Sequence, residues 1–123
     1  MQLYAYVINC IYIMTATDFF KCLSDDSRLC LALLIQSTGE ACVCDLMAAL
    51  EIDQPKTSRH LSDLRRCGVL ESQRRGKWVY YKLHPKLPLW AHDVLKTTLE
   101  ANYGVHQSAL SKLRSLQGND ATC

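Results

Sequence analysis

Residues 40–68 read EACVCDLMAALEIDQPKTSRHLSDLRRCG. The segment begins with a Cys-x-Cys pair, Cys42 and Cys44, and continues into two apolar patterns with helical spacing. The first pattern covers residues 43–50. The second begins near Pro55, which suits the first turn of a helix because its missing N–H costs nothing there. This compact helix-turn-helix pattern predicts a unit whose second helix reads DNA.

Beyond Gly68 the apolar period changes from helical to alternating. Residues 69–75 and 77–83 predict two short strands joined around Gly76, with basic side chains at the turn. A basic-tipped hairpin directly after a recognition-type helix is typical of a winged helix-turn-helix, whose wing lies along the phosphate backbone or the minor groove. The expected fold class is therefore mainly α with a small β-hairpin.

Helical patterns on both sides complete the expected domain. Thr15 or Thr17 can cap a short helix through Leu23, which carries Phe19, Phe20 and Leu23 on one side. Residues 27–37 predict a central core helix, because they are apolar nearly all round. Residues 88–116 carry more apolar surface than a chain of 123 residues can cover. We expect the first and last helices of a second copy to cover it, so the protein is predicted to be a homodimer.

The length fits one domain with a small core. We expect this domain at residues 15–117, preceded by an N-terminal extension of doubtful function at residues 1–14 and followed by a flexible tail at residues 118–123. The first basic residue, Lys21, follows the N-terminal apolar run, whereas in a secretion signal a basic residue precedes the run. The run is also too short for a membrane span. The seven cysteines are accordingly expected to be reduced thiols in the cytoplasm.

Positive charge is concentrated in residues 54–82. The whole chain has a net charge of +2, but this segment has eight basic and two acidic residues, or +6. Such asymmetry indicates a polyanion-binding surface on a mildly acidic body. The exposed face of the second helix is expected to contact the edges of DNA bases. Basic side chains near the start of this helix and at the hairpin turn are expected to contact DNA phosphates. The base-contact candidates are Gln54, Thr57, Ser58, Arg59 and His60, and the phosphate-contact candidates are Lys56, Arg74, Arg75 and Lys77.

Three motifs together resemble the arsenical-resistance repressors of the ArsR/SmtB family. They are EACVCDL at residues 40–46, QPKTSRHL at residues 54–61 and RGKWVYY at residues 75–81. The resemblance covers residues 15–116. It implies a homodimeric winged-helix repressor that binds operator DNA until arsenite or antimonite binds the cysteines and releases it. The family carries a third cysteine three residues after the second, and here that position is Met47.

The Cys-x-Cys pair suits the chemistry of such a switch. Thiolates are soft donors that select soft acceptors, to which trivalent arsenic and antimony belong. A nearby helix N-terminus is expected to lower the pKa of both thiols, although Glu40 and Asp45 oppose that shift. Residues i and i+2 lie on nearly opposite sides of a regular helix. One atom therefore binds both Cys42 and Cys44 only if the helix start unwinds, which would tilt the recognition helix.

The residues leave the third metalloid ligand undecided. Met47 shares the face of Cys44 and could donate a thioether, but filling the core is its simpler role. A small cellular thiol, or Cys67, could complete a three-sulfur site, whereas a methylated trivalent arsenical needs only two thiolates. Cys22 and Cys30 are expected to be buried core thiols.

Two other classes of function compete with this one. A redox-responsive regulator of the same fold would release DNA when Cys42, Cys44 or Cys67 is oxidised. An enzyme is not expected, because the sequence lacks a redox Cys-x-x-Cys, a recognisable catalytic triad or carboxylate pair, and a Gly-rich phosphate loop. The spacing of His92 and His106 does not fit the zinc site of related sensors, and solvated or helix-capping roles are expected for them.

Overall fold

The computed structural model describes residues 14–118. The predictions for residues 1–13 and for residues 119–123 lie outside these described residues. Between them the chain forms, in order, α1 (Ala16–Cys22), α2 (Asp26–Thr38), β1 (Glu40–Cys42), α3 (Val43–Leu50), α4 (Gln54–Arg66), β2 (Leu70–Arg75), β3 (Trp78–Leu83), α5 (Leu89–Ala101) and α6 (Tyr103–Gln117). The predicted helix-turn-helix is thus α3 and α4.

Side-chain caps define where three of the helices begin. The Thr15 hydroxyl accepts a hydrogen bond from the Asp18 N–H at 3.0 Å, so Thr15 rather than Thr17 caps α1. Asp25 caps α2 in the same way. Asp53 caps α4 by accepting from the Lys56 N–H at 2.9 Å. Each cap satisfies an N–H that has no partner inside its helix.

Helix α2 lies at the centre of the core, as predicted. Its residues 31–35 have no exposed surface. It packs against α4, α5, α6 and the strands β1 and β3. A helix that is apolar nearly all round is stable only when it is covered on every side, which is the arrangement found here.

The sheet has three antiparallel strands in the order β1-β3-β2. The predicted hairpin is confirmed, although each strand begins one residue later than predicted. Gly76 lies in the turn and has a positive φ of 65°. Strand β1 was not predicted, because three residues are too few for an alternating period. It pairs Glu40 with Lys82 and Cys42 with Tyr80. Cys42 consequently ends a strand and immediately precedes α3.

The C-terminal segment divides at Asn102 into α5 and α6. Helix α6 returns to pack against α3, the first helix of the helix-turn-helix. Of the three apolar side chains expected on one side of the first helix, Phe19 and Leu23 are buried, whereas 53% of the surface of Phe20 is exposed. Within residues 14–118, no helix has the length and apolar character needed to cross a membrane.

Candidate functional site

The exposed face of α4 carries part of the predicted base-contact set. Gln54, Lys56 and Arg59 are exposed, and Ser58 is partly exposed. The Gln54 Nε2 donates a hydrogen bond to the Ser58 Oγ at 2.9 Å, which orients both side chains on the first turn. The opposite face of the helix is buried against the core through Leu61 and Leu64. The N-terminal half of α4 therefore presents polar side chains to solvent.

Thr57 and His60 do not share this exposed face, so their predicted placement is wrong. Thr57 has no exposed surface, and its hydroxyl donates to the Ile52 carbonyl oxygen at 3.5 Å. The side chain of His60 is only 12% exposed, and its Nδ1 lies 3.9 Å from the Asp25 Oδ2. The spacing already contained a signal for Thr57, because it precedes Leu61 by four residues and hence lies on the same helical face.

The wing carries the other basic residues that were predicted to contact phosphates, and these side chains differ in whether they are paired with an acidic residue. Arg74 and Lys77 are exposed at the turn, with the Lys77 Nζ 4.9 Å from the centroid of the Trp78 ring. Arg75 instead donates two hydrogen bonds to the Glu40 carboxylate, at 2.8 and 2.7 Å. The guanidinium holds the pKa of Glu40 below its ordinary value, chiefly through these hydrogen bonds. Arg75 thus joins the wing to β1 and has less charge to offer DNA.

The Cys-x-Cys pair lies where β1 passes into α3. Cys42 is buried, with 5% of its surface exposed, whereas Cys44 is partly buried in the first turn of α3. Burial raises the pKa of the Cys42 thiol, and the charge of the neighbouring Asp45 adds to this shift. The expectation of a lowered pKa at Cys42 is therefore wrong. Desolvation outweighs the stabilisation that hydrogen bonds from backbone N–H groups at the helix start provide.

The surroundings of the pair contain a buried carboxylate. Asp45 is 6% exposed, and its Oδ1 has no hydrogen-bond partner within residues 14–118. Met47 is partly buried on α3. In this same part of the chain, no three His, Cys, Asp or Glu side chains come together in a way that could hold a metal ion. A three-ligand protein site is thus not preformed among the described side chains.

The remaining described cysteines have partners that the sequence did not suggest. Cys22 and Cys67 form a disulfide with a Cα–Cα distance of 6.5 Å, so the expectation of reduced thiols is wrong for both residues. This bond joins the end of α1 to the residue that follows α4. Cys30 is buried, which raises the pKa of its thiol to about 11, and its Sγ lies 3.5 Å from the His106 Nδ1. His106 therefore packs against a core thiol rather than being fully solvated.

Comparisons with known proteins agree with this architecture. Residues 25–72 match the family described as bacterial regulatory protein, arsR family. The arsenic resistance transcriptional regulator ArsR2 of Pseudomonas putida is 47% identical over 113 residues, which cover 89% of this chain and 98% of the relative. The chain belongs to the ArsR family. This family consists of DNA-binding transcriptional regulators, so the expectation that the protein is not an enzyme is confirmed.

Further ArsR-family relatives support the same assignment. The arsenical resistance operon repressor of Escherichia coli is 50% identical over 78 residues, covering 63% of this chain and 67% of the relative. Among solved structures, HlyU from Vibrio cholerae superposes with a TM-score of 0.64 at 23% identity, covering 70% of this chain and 89% of that chain. The predicted winged helix-turn-helix fold is thereby confirmed.

Proposed function

We propose that this ArsR-family protein is a metalloid-responsive repressor. It binds operator DNA as a homodimer in the cytoplasm and is released when trivalent arsenic or antimony binds the thiolates of Cys42 and Cys44. The observation that carries the proposal is the position of Cys42, at the junction of the wing sheet with the first helix of the helix-turn-helix. The names of the Pseudomonas putida and Escherichia coli relatives support the class of inducer.

The position of Cys42 offers two routes from ligand to DNA. Cys42 pairs with Tyr80 in β3, so movement of β1 acts directly on the wing. Helix α3 begins at the next residue and packs against α4, so unwinding of its first turn acts on the recognition helix. A coupling free energy of about 1–3 kcal/mol, or roughly 5- to 150-fold in operator affinity, would suffice for release.

Two protein thiolates favour an inducer that needs no third protein ligand. Arsenite or antimonite could complete its coordination with a small cellular thiol. A methylated trivalent arsenical would be satisfied by Cys42 and Cys44 alone. The proposal does not require Met47 as a ligand, because a thioether is a poorer donor to arsenic than a thiolate.

On DNA, the exposed residues of α4 and the wing have separate roles. Gln54, Ser58 and Arg59 contact base edges in the major groove. Lys56, Arg74 and Lys77 contact phosphates and set affinity and salt dependence. A two-fold symmetric dimer requires an operator that is an imperfect inverted repeat.

The dimer is proposed to form through an apolar surface shared by α1 and α5. Phe20 and Trp90 are 53% and 38% exposed, and their ring centroids lie 5.4 and 5.1 Å from that of the buried Phe19. Leu89, next to Trp90, is 76% exposed. Phe20 and Trp90 lie near each other because both contact Phe19, and clusters of exposed apolar side chains mark interaction sites.

Fluorescence anisotropy of the reduced protein on DNA from upstream of its own gene tests the proposal. Arsenite should release the wild-type protein. Cys44→Ser should bind DNA normally but resist release, whereas the matched control Cys30→Ser should respond as the wild type does. Release of Cys44→Ser at the wild-type arsenite concentration would refute the assignment of the site.

The disulfide between Cys22 and Cys67 favours a second candidate function, a redox-responsive regulator of the same fold. Two thiols of the reduced protein would react with a peroxide to give the disulfide and water, and the covalent link would change how α4 is held. In this case peroxide would abolish DNA binding and arsenite would leave it unchanged. The same anisotropy titration, run with each reagent, separates the two functions.

A further inference from the structure

Of the described cysteines, Cys22 and Cys67 are the pair already positioned to bind one atom. Their sulfurs are close enough to bond to each other, and the Cα–Cα distance of 6.5 Å lies within the range that two cysteines can bridge without backbone movement. Cys42 and Cys44 differ in this respect, because Cys42 ends β1 as a buried free thiol and is not bonded to Cys44. The Cys22 and Cys67 thiols therefore form a preorganised chelate.

We propose that, in the reduced protein, Cys22 and Cys67 form a second metalloid site, which takes a trivalent arsenical with one organic substituent. The proposal shares with the proposed function only the class of ligand and does not require binding at Cys42 and Cys44. An organic arsenoxide reacts with the two thiols to form two As–S bonds. Its As–O bond breaks, the oxygen leaves as water with both thiol protons, and arsenic stays trivalent.

The surroundings of the pair suit a ligand that needs two sulfurs. Cys22 is 8% exposed and Cys67 is partly exposed, so reagents reach the pair from the Cys67 side. The two sulfurs lie 4.0 and 3.6 Å from the carbonyl oxygens of Asp63 and Leu64, respectively. These carbonyls disfavour an anion next to them. Two As–S bonds place no negative charge next to these carbonyls, whereas a thiolate would.

The site holds the recognition helix at its C-terminal end. The disulfide joins the last residue of α1 to the residue that follows α4, and a second contact lies nearby, where the Asp25 Oδ2 is 3.9 Å from the His60 Nδ1 of α4. The Arg28 Nε donates to the Cys22 carbonyl oxygen at 2.7 Å and fixes the end of α1. A ligand at this site is therefore attached to the ends of both α4 and α1 and can change their relative position. Helix α1 also carries Phe20 of the proposed dimer surface.

Native mass spectrometry of the fully reduced protein with phenylarsine oxide tests the site. Cys22→Ser and Cys67→Ser should each bind one arsenical fewer per chain than the wild type. Cys30→Ser, which changes another buried thiol, should bind as many as the wild type. A Cys42→Ser/Cys44→Ser double variant should keep the Cys22/Cys67 equivalent, so failure of the proposed function and failure of this site are distinguishable.

A second measurement needs no variant and covers the case in which a substitution prevents folding. In the wild type, phenylarsine oxide should protect Cys22 and Cys67 from N-ethylmaleimide, as read by peptide mapping. Alkylation of both thiols despite bound arsenical would overturn the proposal. The proposal would also be overturned if Cys22→Ser bound as many arsenicals per chain as the wild type. It would likewise be overturned if Cys22 and Cys67 remained a disulfide under reductant, which is detected as a mass lower by two hydrogens.

Discussion

Arg59 and Thr57 are two positions apart on α4, yet they have different environments. Arg59 is exposed, whereas Thr57 has no exposed surface and is hydrogen-bonded to the Ile52 carbonyl oxygen. Helical geometry turns residues i and i+2 to different sides, so Arg59 faces solvent and Thr57 faces the core. Arg59 should consequently determine sequence preference and Thr57 should determine stability.

Arg59→Ala is expected to weaken operator binding by about 1–3 kcal/mol and to relax the preference at one base position, because it removes a base-edge contact. Thr57→Ser removes one buried methyl group and should lower the free energy of unfolding by about 1 kcal/mol without altering base preference. Anisotropy on a set of single-base operator variants measures the first effect, and urea unfolding measures the second. A changed base preference in Thr57→Ser would contradict this division.

Among the elements, β1 links the cysteine pair to the wing. It pairs with β3 through all three of its residues, and Glu40 holds Arg75 of β2 in a bidentate ion pair. Arg75 also lies over the Tyr80 ring, with its Cζ 4.4 Å from the ring centroid. The wing is therefore anchored to the strand that ends in Cys42, and Glu40 partly neutralises the charge of Arg75.

Lys77→Ala should reduce the slope of log binding constant against log salt by about one unit, because one phosphate contact is lost. Arg75→Ala should reduce it by less, since Glu40 already neutralises that guanidinium. Lys86→Ala is a suitable control, being exposed but beyond β3. The measurement is anisotropy at a series of salt concentrations. Equal slopes for Arg75→Ala and Lys77→Ala would show that Arg75 contacts phosphate directly.

For the whole molecule, the exposed aromatic surface indicates how two copies meet. Phe20 and Trp90 flank the buried Phe19, so α1 and α5 contribute to one surface. Helix α1 also ends at Cys22, which is bonded to the residue after the recognition helix. The proposed dimer surface and the DNA-reading helix are thus connected through α1.

Phe20→Ser is expected to raise the dimer dissociation constant at least tenfold, corresponding to about 1.4 kcal/mol, by removing apolar area from the interface. Phe20 is already 53% exposed in the single chain, so the fold should tolerate the change. Sedimentation velocity across a concentration series measures the shift. Gln73→Ser, an exposed change on the wing, should leave dimerisation unaltered. An unchanged dissociation constant in Phe20→Ser would place the interface elsewhere.

Local patterns in the sequence were enough to predict the winged helix-turn-helix. The spacing of apolar residues, together with the Pro and Gly residues at the element boundaries, places α3, α4 and the hairpin to within a residue. This works because helix and strand geometry determine which neighbouring side chains share a face. The apolar run from 31 to 35 likewise predicted the central helix. The Cys-x-Cys pair and the basic character of residues 54–82 were also readable without a structure.

Only the tertiary structure decided which distant residues meet. Cys22 bonds to Cys67 across 45 positions, and Arg75 pairs with Glu40 across 35. The same long-range packing turned His60 toward Asp25, created β1 and raised the pKa of Cys42 by burying it. Local periodicity specifies the face on which a side chain lies. It carries no information about what packs against that face, and desolvation and partner choice depend on that packing.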